Sequence, residues 1–400
     1  MPHSTEQVTL TLAGLAYRGF QDLLRGPTHT EAVRRALLDG LHTLPPVKND
    51  WTLVWGPATS RSGPDAFDSA AMYVVRHRRE PARYVVAIRG TNPIAASDWL
   101  FGDFWVSATV PWPYAATADR VAVSASTALG LSKLQAMRSL RMSPQAPPAT
   151  DRPAPTRDAL EKQIAGIAAG WSRFVEAPSG WLEDRVVDRL KTAVNLPWMD
   201  LRPRSPAPAP SEAGLDLLSF LTEEARARGE PLNITVTGHS KGGALASTVA
   251  LWLKDALASA DTAEHWDGRR GARVSCYAFA APTPGNAAFA NRIDRVLAGC
   301  HHHLRNTNDV VTHAWQVDEL AQIPELYAPR HTVLESLIPV IASRVRGLDY
   351  RHARTGVTAF AGALDAARPF ELEFVHQHLE AYLDQLALLD EGLDALTFFF

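Results

Sequence analysis

Cysteine is nearly absent from this chain, with only Cys276 and Cys300 in 400 residues. That scarcity excludes a disulfide framework as the source of stability. Both lie in apolar stretches and are expected to be buried thiols. Neither sign of charge dominates: 40 Lys and Arg stand against 43 Asp and Glu, a net charge of -3. With no basic stripe, nucleic acid is not an expected partner. No run of about 18 apolar residues occurs, so no segment is predicted to span a bilayer, although transient contact with a membrane surface stays open. The first twenty residues lack the basic start, apolar core and small-residue cleavage site of a signal peptide. A soluble cytoplasmic protein is the default expectation, with export by another route left open. Also missing are G-x-x-x-x-G-K-[ST] for nucleotide phosphates, H-E-x-x-H for zinc and G-x-G-x-x-G for a dinucleotide.

Apolar residues make up 46% of the chain, enough for a large core. The most informative segment is Gly238-His239-Ser240-Lys241-Gly242-Gly243. It follows the strand-like run Ile234-Thr235-Val236-Thr237 and precedes a helix-forming run through Leu253. G-x-S-x-G between a strand and a helix holds a serine in a strained turn with its hydroxyl presented. The glycines let neighbouring backbone pass close by. The helix start behind Ser240 offers unpaired N–H groups, and that of Lys241 points where an oxyanion forms. The competing reading is a tight glycine turn with an incidental serine.

Around this segment the chain alternates in type. Apolar residues recur at helical spacing from Val8 to Leu41, including Leu12, Leu15, Phe20, Leu23, Leu24 and Leu37. Strand-like runs follow at 51–55, 71–75 and 84–88, the last two parted by a hairpin turn at Arg78-Arg79-Glu80-Pro81. The third ends at Arg89-Gly90-Thr91. Residues 117–142 read as helical. Two Pro/Ala-rich stretches, 143–156 and 202–211, hold nine of the 28 prolines and resemble extended linkers. Residues 157–194 between them read as one or two amphipathic helices. The 143–212 segment is therefore expected to be an insertion in a single domain of 400 residues rather than a second catalytic domain. A helix over 212–228, a buried strand over 274–280 and another from His301 to Arg305 complete the pattern. Strands separated by helices predict a mainly parallel sheet covered on both faces.

A serine hydroxyl needs an imidazole to take its proton, and the imidazole needs a carboxylate to fix its tautomer. Downstream of Ser240, Asp309 stands alone at the end of a predicted strand, where such sheets place functional groups. Its alternative role is a turn aspartate bound to local backbone N–H groups. Two histidines, His376 and His378, precede the C-terminal helical run. His378 is preferred because it abuts the predicted helix start, with His376 kept as the alternative. His313 is too near Asp309 in sequence to be a comfortable partner. The run His301-His302-His303 beside Cys300 invites a metal reading, but adjacent strand residues face opposite ways and do not converge as one ligand set. The remaining histidines are expected at the surface. A cluster of Trp99, Phe101, Phe104, Trp105 and Trp112 suggests a cover for an apolar substrate, with core packing as the alternative.

These segments together resemble the class 3 lipase family, typified by fungal triacylglycerol lipases. GHSKGGALA over 238–246 is similar to the family's G-H-S-L-G-G-A-L-A, and Arg89-Gly90-Thr91 to its R-G-[ST]. Residues 97–103 resemble the tryptophan-containing lid segment, 279–286 the F-G-x-P-R-x-G-N strand ending, and 306–312 the N-x-x-D-x-V-P acid motif. The order is the family's, over residues 84–309. Thr283 replaces the family's arginine and Thr312 its proline, and the 143–212 insertion has no counterpart in the small fungal enzymes. The resemblance implies an α/β-hydrolase fold and cleavage of lipid or other apolar carboxylic esters without a cofactor or metal. It implies Ser240 as nucleophile, Asp309 as acid, His378 as base, and Thr91 and Lys241 as oxyanion-hole donors. A phospholipase or acyltransferase on the same fold, and a catalytically silent binding scaffold, are the alternatives.

Overall fold

A computed structural model describes residues 2–18, 29–61, 68–90, 106–139, 214–269, 271–327 and 332–394. Two helices, α1 (Thr5–Leu15) and α2 (His29–Thr43), lead into strands β1 (Trp51–Arg61), β2 (Asp68–His77) and β3 (Arg83–Ile88). A small pair, β4 (Thr109–Pro111) and β5 (Ala122–Ser124), precedes α3 (Ala125–Ala136). Then come α4 (Leu217–Arg228), β6 (Asn233–His239), α5 (Lys241–Ala258), β7 (Arg273–Phe279), α6 (Ala287–Val296) and β8 (His301–Asn306). The chain continues through α7 (Thr332–Val345), β9 (Val357–Phe360), α8 (Phe370–Val375) and α9 (Ala381–Gln385). The 143–212 segment, Thr91 and four of the five proposed cover residues (Trp99, Phe101, Phe104 and Trp105) lie outside the described residues.

Among the described residues, seven strands form one sheet in the order β1-β2-β3-β6-β7-β8-β9. β1, β2 and β3 pair antiparallel, and every pairing from β3 to β9 is parallel. Alternation along the strands sorts the two faces. Tyr84, Val86 and Ile88 of β3 join a core with α3, α4, α5 and α6, whereas Val85 and Ala87 join one with α1 and α2. In β7, Val274, Cys276 and Ala278 enter the first core, while Phe279 packs against the C-terminal Tyr382 and Leu383. Central strands buried on both faces explain their near-continuous apolar runs.

Local chemistry sets the helix starts. Ser4 and Gln7 close a reciprocal capping box on α1, and Asp216 accepts from Ser219 N–H at 2.8 Å to cap α4. Capping at Asp216 starts α4 at Leu217, five residues later than the sequence reading placed it. The predicted helix over 117–142 is corrected more deeply. A short 3-10 turn and β5 take its first part, because Ala122, Val123 and Ser124 pair with β4, and α3 ends at Ala136. Trp112 is corrected as well. Its indole Nε1 donates to Asp255 Oδ2 at 2.7 Å and its ring meets Phe289 edge-on at 5.1 Å, so it belongs to the core. The carboxylate it binds also takes two bonds from Arg292, at 2.7 and 2.8 Å. Among the described residues, no helix is long and apolar enough to cross a membrane.

Candidate active site

The end of β6 turns sharply into α5. Ser240, at the bend, has φ 61° and ψ -135°, a left-handed conformation that costs an L-residue about 1–3 kcal/mol. Flanking structure fixes it there. Ser240 N–H donates to Phe279 O of β7 at 2.9 Å, and its own carbonyl accepts from Gly243 N–H at 2.8 Å. The turn also crosses the end of β3 too closely for side chains. A Cβ on Gly238 would lie 2.2 Å from Gly242 O, and one on Gly242 would lie 2.5 Å from Ile88 O and 2.7 Å from Gly90 N. Lys241 is the first residue of α5, so its N–H belongs to the helix's first turn.

Beyond β8 the chain makes a 3-10 turn over Val310–His313, capped by Asp309, whose Oδ1 accepts from Val311 N–H at 2.9 Å. The turn-aspartate role and the acid position therefore coincide in one residue. His378 Nδ1 lies 3.0 and 2.9 Å from the two carboxylate oxygens, and Tyr382 OH donates to Oδ2 at 3.0 Å. Asp309 is fully buried, and these donors offset its desolvation. With the carboxylate as acceptor, Nδ1 carries the proton and Nε2 keeps its lone pair.

His378 does not stand before a helix, as the sequence suggested. It lies inside a π-helical turn, His376–Glu380, that joins α8 to α9. His376 Nδ1 instead pairs with Glu380 Oε2 at 2.8 Å. Of the two histidines, the structure brings only His378 to Asp309. His239, the residue before Ser240, meets His378 as well: its Nε2 donates to the His378 carbonyl at 2.8 Å, with ring centroids 4.6 Å apart. Base and serine candidates are thereby held on adjoining backbone. Neither this bond nor the Tyr382 bond to Asp309 was anticipated from sequence. An aromatic four residues after a histidine was the only available signal.

The other histidines are mostly structural. His313 Nε2 lies 2.9 Å from Thr307 O, away from the Asp309 carboxylate. Along β8, His301 bonds Ser247 Oγ at 3.0 Å, His302 stacks on Tyr277 at 4.3 Å and His303 meets His352 at 5.3 Å. Among the described residues no cluster of three His, Cys, Asp or Glu side chains could hold a metal. The expectation that the remaining histidines are exposed is overturned by His77 and His239, both buried. Of the two thiols, Cys276 is buried but Cys300 is exposed, correcting the reading of that residue.

Burial lowers the affinity of His239, His301 and His303 for protons. His301 is brought down to about 4, and His239 and His303 well below the usual 6.5, with neighbouring His378 and His352 adding to the effect. The fold therefore keeps these rings neutral while the unfolded chain protonates them below about pH 6.5. Their contribution is complete above that pH and is lost as pH falls toward the folded values. Each contributes a slope of about 1.4 kcal/mol per pH unit. Urea unfolding between pH 6 and 5 should show stability falling by several kcal/mol, with His352, which burial also brings down to about 4, adding to these three. His301→Gln should reduce that slope by about a quarter, and a flat profile would contradict the burial account.

An apolar pocket opens beside the elbow, between the start of α5, the Asp309 turn and α7. Leu245, Val310, Val311, Ile323, Ile338 and Ile341 are among its walls, together with Lys241.

The family model for Lipase (class 3) matches residues 216–319, from the α4 cap through Ser240 and Asp309. M37 lipase superimposes with a TM-score of 0.72 at 26% identity, over 99% of this chain and 97% of that one. Over residues 216–319 the chain thus matches the class 3 lipase family, and its fold as a whole is similar to that of M37 lipase. The fold is an α/β-hydrolase fold, and the two matches support a carboxylic ester hydrolase acting on lipid esters. Lipase from Rhizopus microsporus var. chinensis is 16% identical over 79% of this chain and 71% of that one, at a TM-score of 0.33. The Rhizomucor miehei lipase propeptide complex is 14% identical over 78% and 64%, at a TM-score of 0.35. No curated protein sequence matches the chain.

Proposed function

We propose that this protein cleaves its ester through an acyl-enzyme on Ser240, with His378 as general base, Asp309 as the orienting acid, and Thr91 and Lys241 as oxyanion donors. The observation that carries the reading is the bond from His378 Nδ1 to both oxygens of buried Asp309, with the His378 carbonyl held by His239, the residue before a serine at φ 61°. His378 Nε2 takes the Ser240 proton as Oγ bonds to the ester carbonyl carbon. The carbonyl electron pair moves onto oxygen, where the N–H groups of Thr91 and Lys241 receive it. When the tetrahedral intermediate collapses, the carbon–alkoxy bond breaks and His378 protonates the departing alcohol. Water then gives a proton to His378 and attacks the acyl-enzyme, releasing the carboxylic acid and restoring Ser240. Each donor at the oxyanion contributes about 3–4 kcal/mol in other hydrolases.

In this reading the apolar pocket beside Lys241 receives the acyl chain. Release of fatty acid from an emulsified triglyceride, followed with a series of p-nitrophenyl esters, tests it. Ile338→Trp, which fills the pocket wall, should lower kcat/KM for dodecanoate at least about tenfold more than for butyrate. No fatty acid release from triglyceride or any ester would sink the activity. An equal loss across chain lengths would remove the pocket from substrate binding.

A further inference from the structure

β3 and β6 pair in parallel register as far as Ile88 opposite Gly238, and the two segments that matter to the proposed chemistry begin just beyond. On one side Gly90 leads into Thr91; on the other His239 leads into Ser240. The oxygen of Tyr17 stands between them. It donates to His239 O at 2.9 Å and accepts from Gly90 N–H at 3.0 Å. Tyr17 follows α1, is buried, and sets its ring edge-on to His239 at 6.1 Å. The fit has no slack: a Cβ on Gly90 would meet the phenol oxygen at 2.5 Å and His239 O at 2.8 Å.

We infer that Tyr17 is a positioning residue, its hydroxyl continuing the β3–β6 ladder by one rung so that the Gly90 backbone, which leads in sequence to Thr91, keeps its register with Ser240. This rests on the roles proposed above for Ser240 and Thr91. One phenol oxygen bridges a donor and an acceptor that the ladder no longer joins directly. Burial raises the phenol's pKa above its ordinary value of 10, so it stays protonated and able to donate. A register error of about 1 Å at such a junction lowers rates on the order of 100-fold without weakening ground-state binding.

Tyr17→Phe removes only the oxygen. It should lower kcat about 10- to 100-fold on a p-nitrophenyl ester, with KM within about twofold. Labelling of the serine by a fluorophosphonate, which develops the same oxyanion, should slow in parallel. Tyr73→Phe is the comparison: its buried hydroxyl donates to Leu12 O, so its removal should lower thermal stability and leave kcat unchanged. An undiminished kcat and labelling rate in Tyr17→Phe would overturn the inference, as would a loss confined to stability like that of Tyr73→Phe. The wild-type protein provides an arm that needs no variant. The Gly90 amide should resist hydrogen exchange as strongly as the β6 amides, and exchange at the rate of an open loop would overturn the bridge. If the wild type is not labelled at all, the Ser240 assignment fails, and the Gly90 amide still judges the bridge on its own.

Discussion

Ser240→Ala should lower kcat on p-nitrophenyl butyrate by about 10⁵–10⁶-fold while the protein stays folded. The size of the effect follows from the covalent step: without Oγ no acyl-enzyme forms, and the remaining donors act only on direct attack by water. The fold should tolerate the change because alanine keeps the Cβ that already stands at φ 61° and removes only a terminal oxygen. The bonds that hold the bend, from Ser240 N–H to Phe279 O and from Gly243 N–H to Ser240 O, are backbone bonds that alanine retains. Thermal unfolding of the variant should shift by no more than about 2 °C. Turnover equal to wild type would remove Ser240 from the mechanism.

Asp309→Asn should lower kcat by about 10⁴-fold. The carboxylate accepts at once from Val311 N–H, Tyr382 OH and His378 Nδ1. An asparagine has one acceptor oxygen for these donors, and its amide turned toward His378 favours the tautomer protonated on Nε2. That tautomer presents a proton where the reaction needs a lone pair. His376→Ala provides the matching comparison, because His376 binds Glu380 and not Asp309; its kcat should remain within about twofold of wild type. Steady-state kinetics on the two variants check both statements. A loss in His376→Ala as large as that in Asp309→Asn would move the base away from His378.

Why some of this was legible in the sequence and some was not comes down to the range of the forces involved. The Ser240 bend announced itself because all its requirements are local: apolar alternation before it, a helix-forming run after it, and glycines where β3 passes within van der Waals distance. The parallel sheet was legible for the same reason, since strands buried on two faces must be apolar throughout. Choosing between His376 and His378 was harder. Two positions along a helix point to nearly opposite sides, so one reaches Asp309 and the other does not. The π-helical turn that decides which is not encoded in any short motif. Trp112 reads as a cover residue until Asp255, 143 positions away, supplies its hydrogen bond. The strand within residues 117–142 depends on pairing with β4, a partner that helical periodicity does not reveal. Cys300 lies between apolar runs, yet the turn at Gly299, with φ 70°, leaves it outside the core. Tyr17 lies within the run of helical spacing from Val8 to Leu41, where nothing local singles it out; only the approach of a remote carbonyl and a remote amide gives its hydroxyl a task.

The most direct test of the central claim is intact-mass and peptide analysis after a fluorophosphonate is added to the wild-type protein, Ser240→Ala and His378→Ala. The account predicts one adduct per wild-type chain on the peptide holding Ser240, none on Ser240→Ala, and labelling slowed by orders of magnitude on His378→Ala. An unlabelled wild type, or an adduct that persists when Ser240 is alanine, would contradict it.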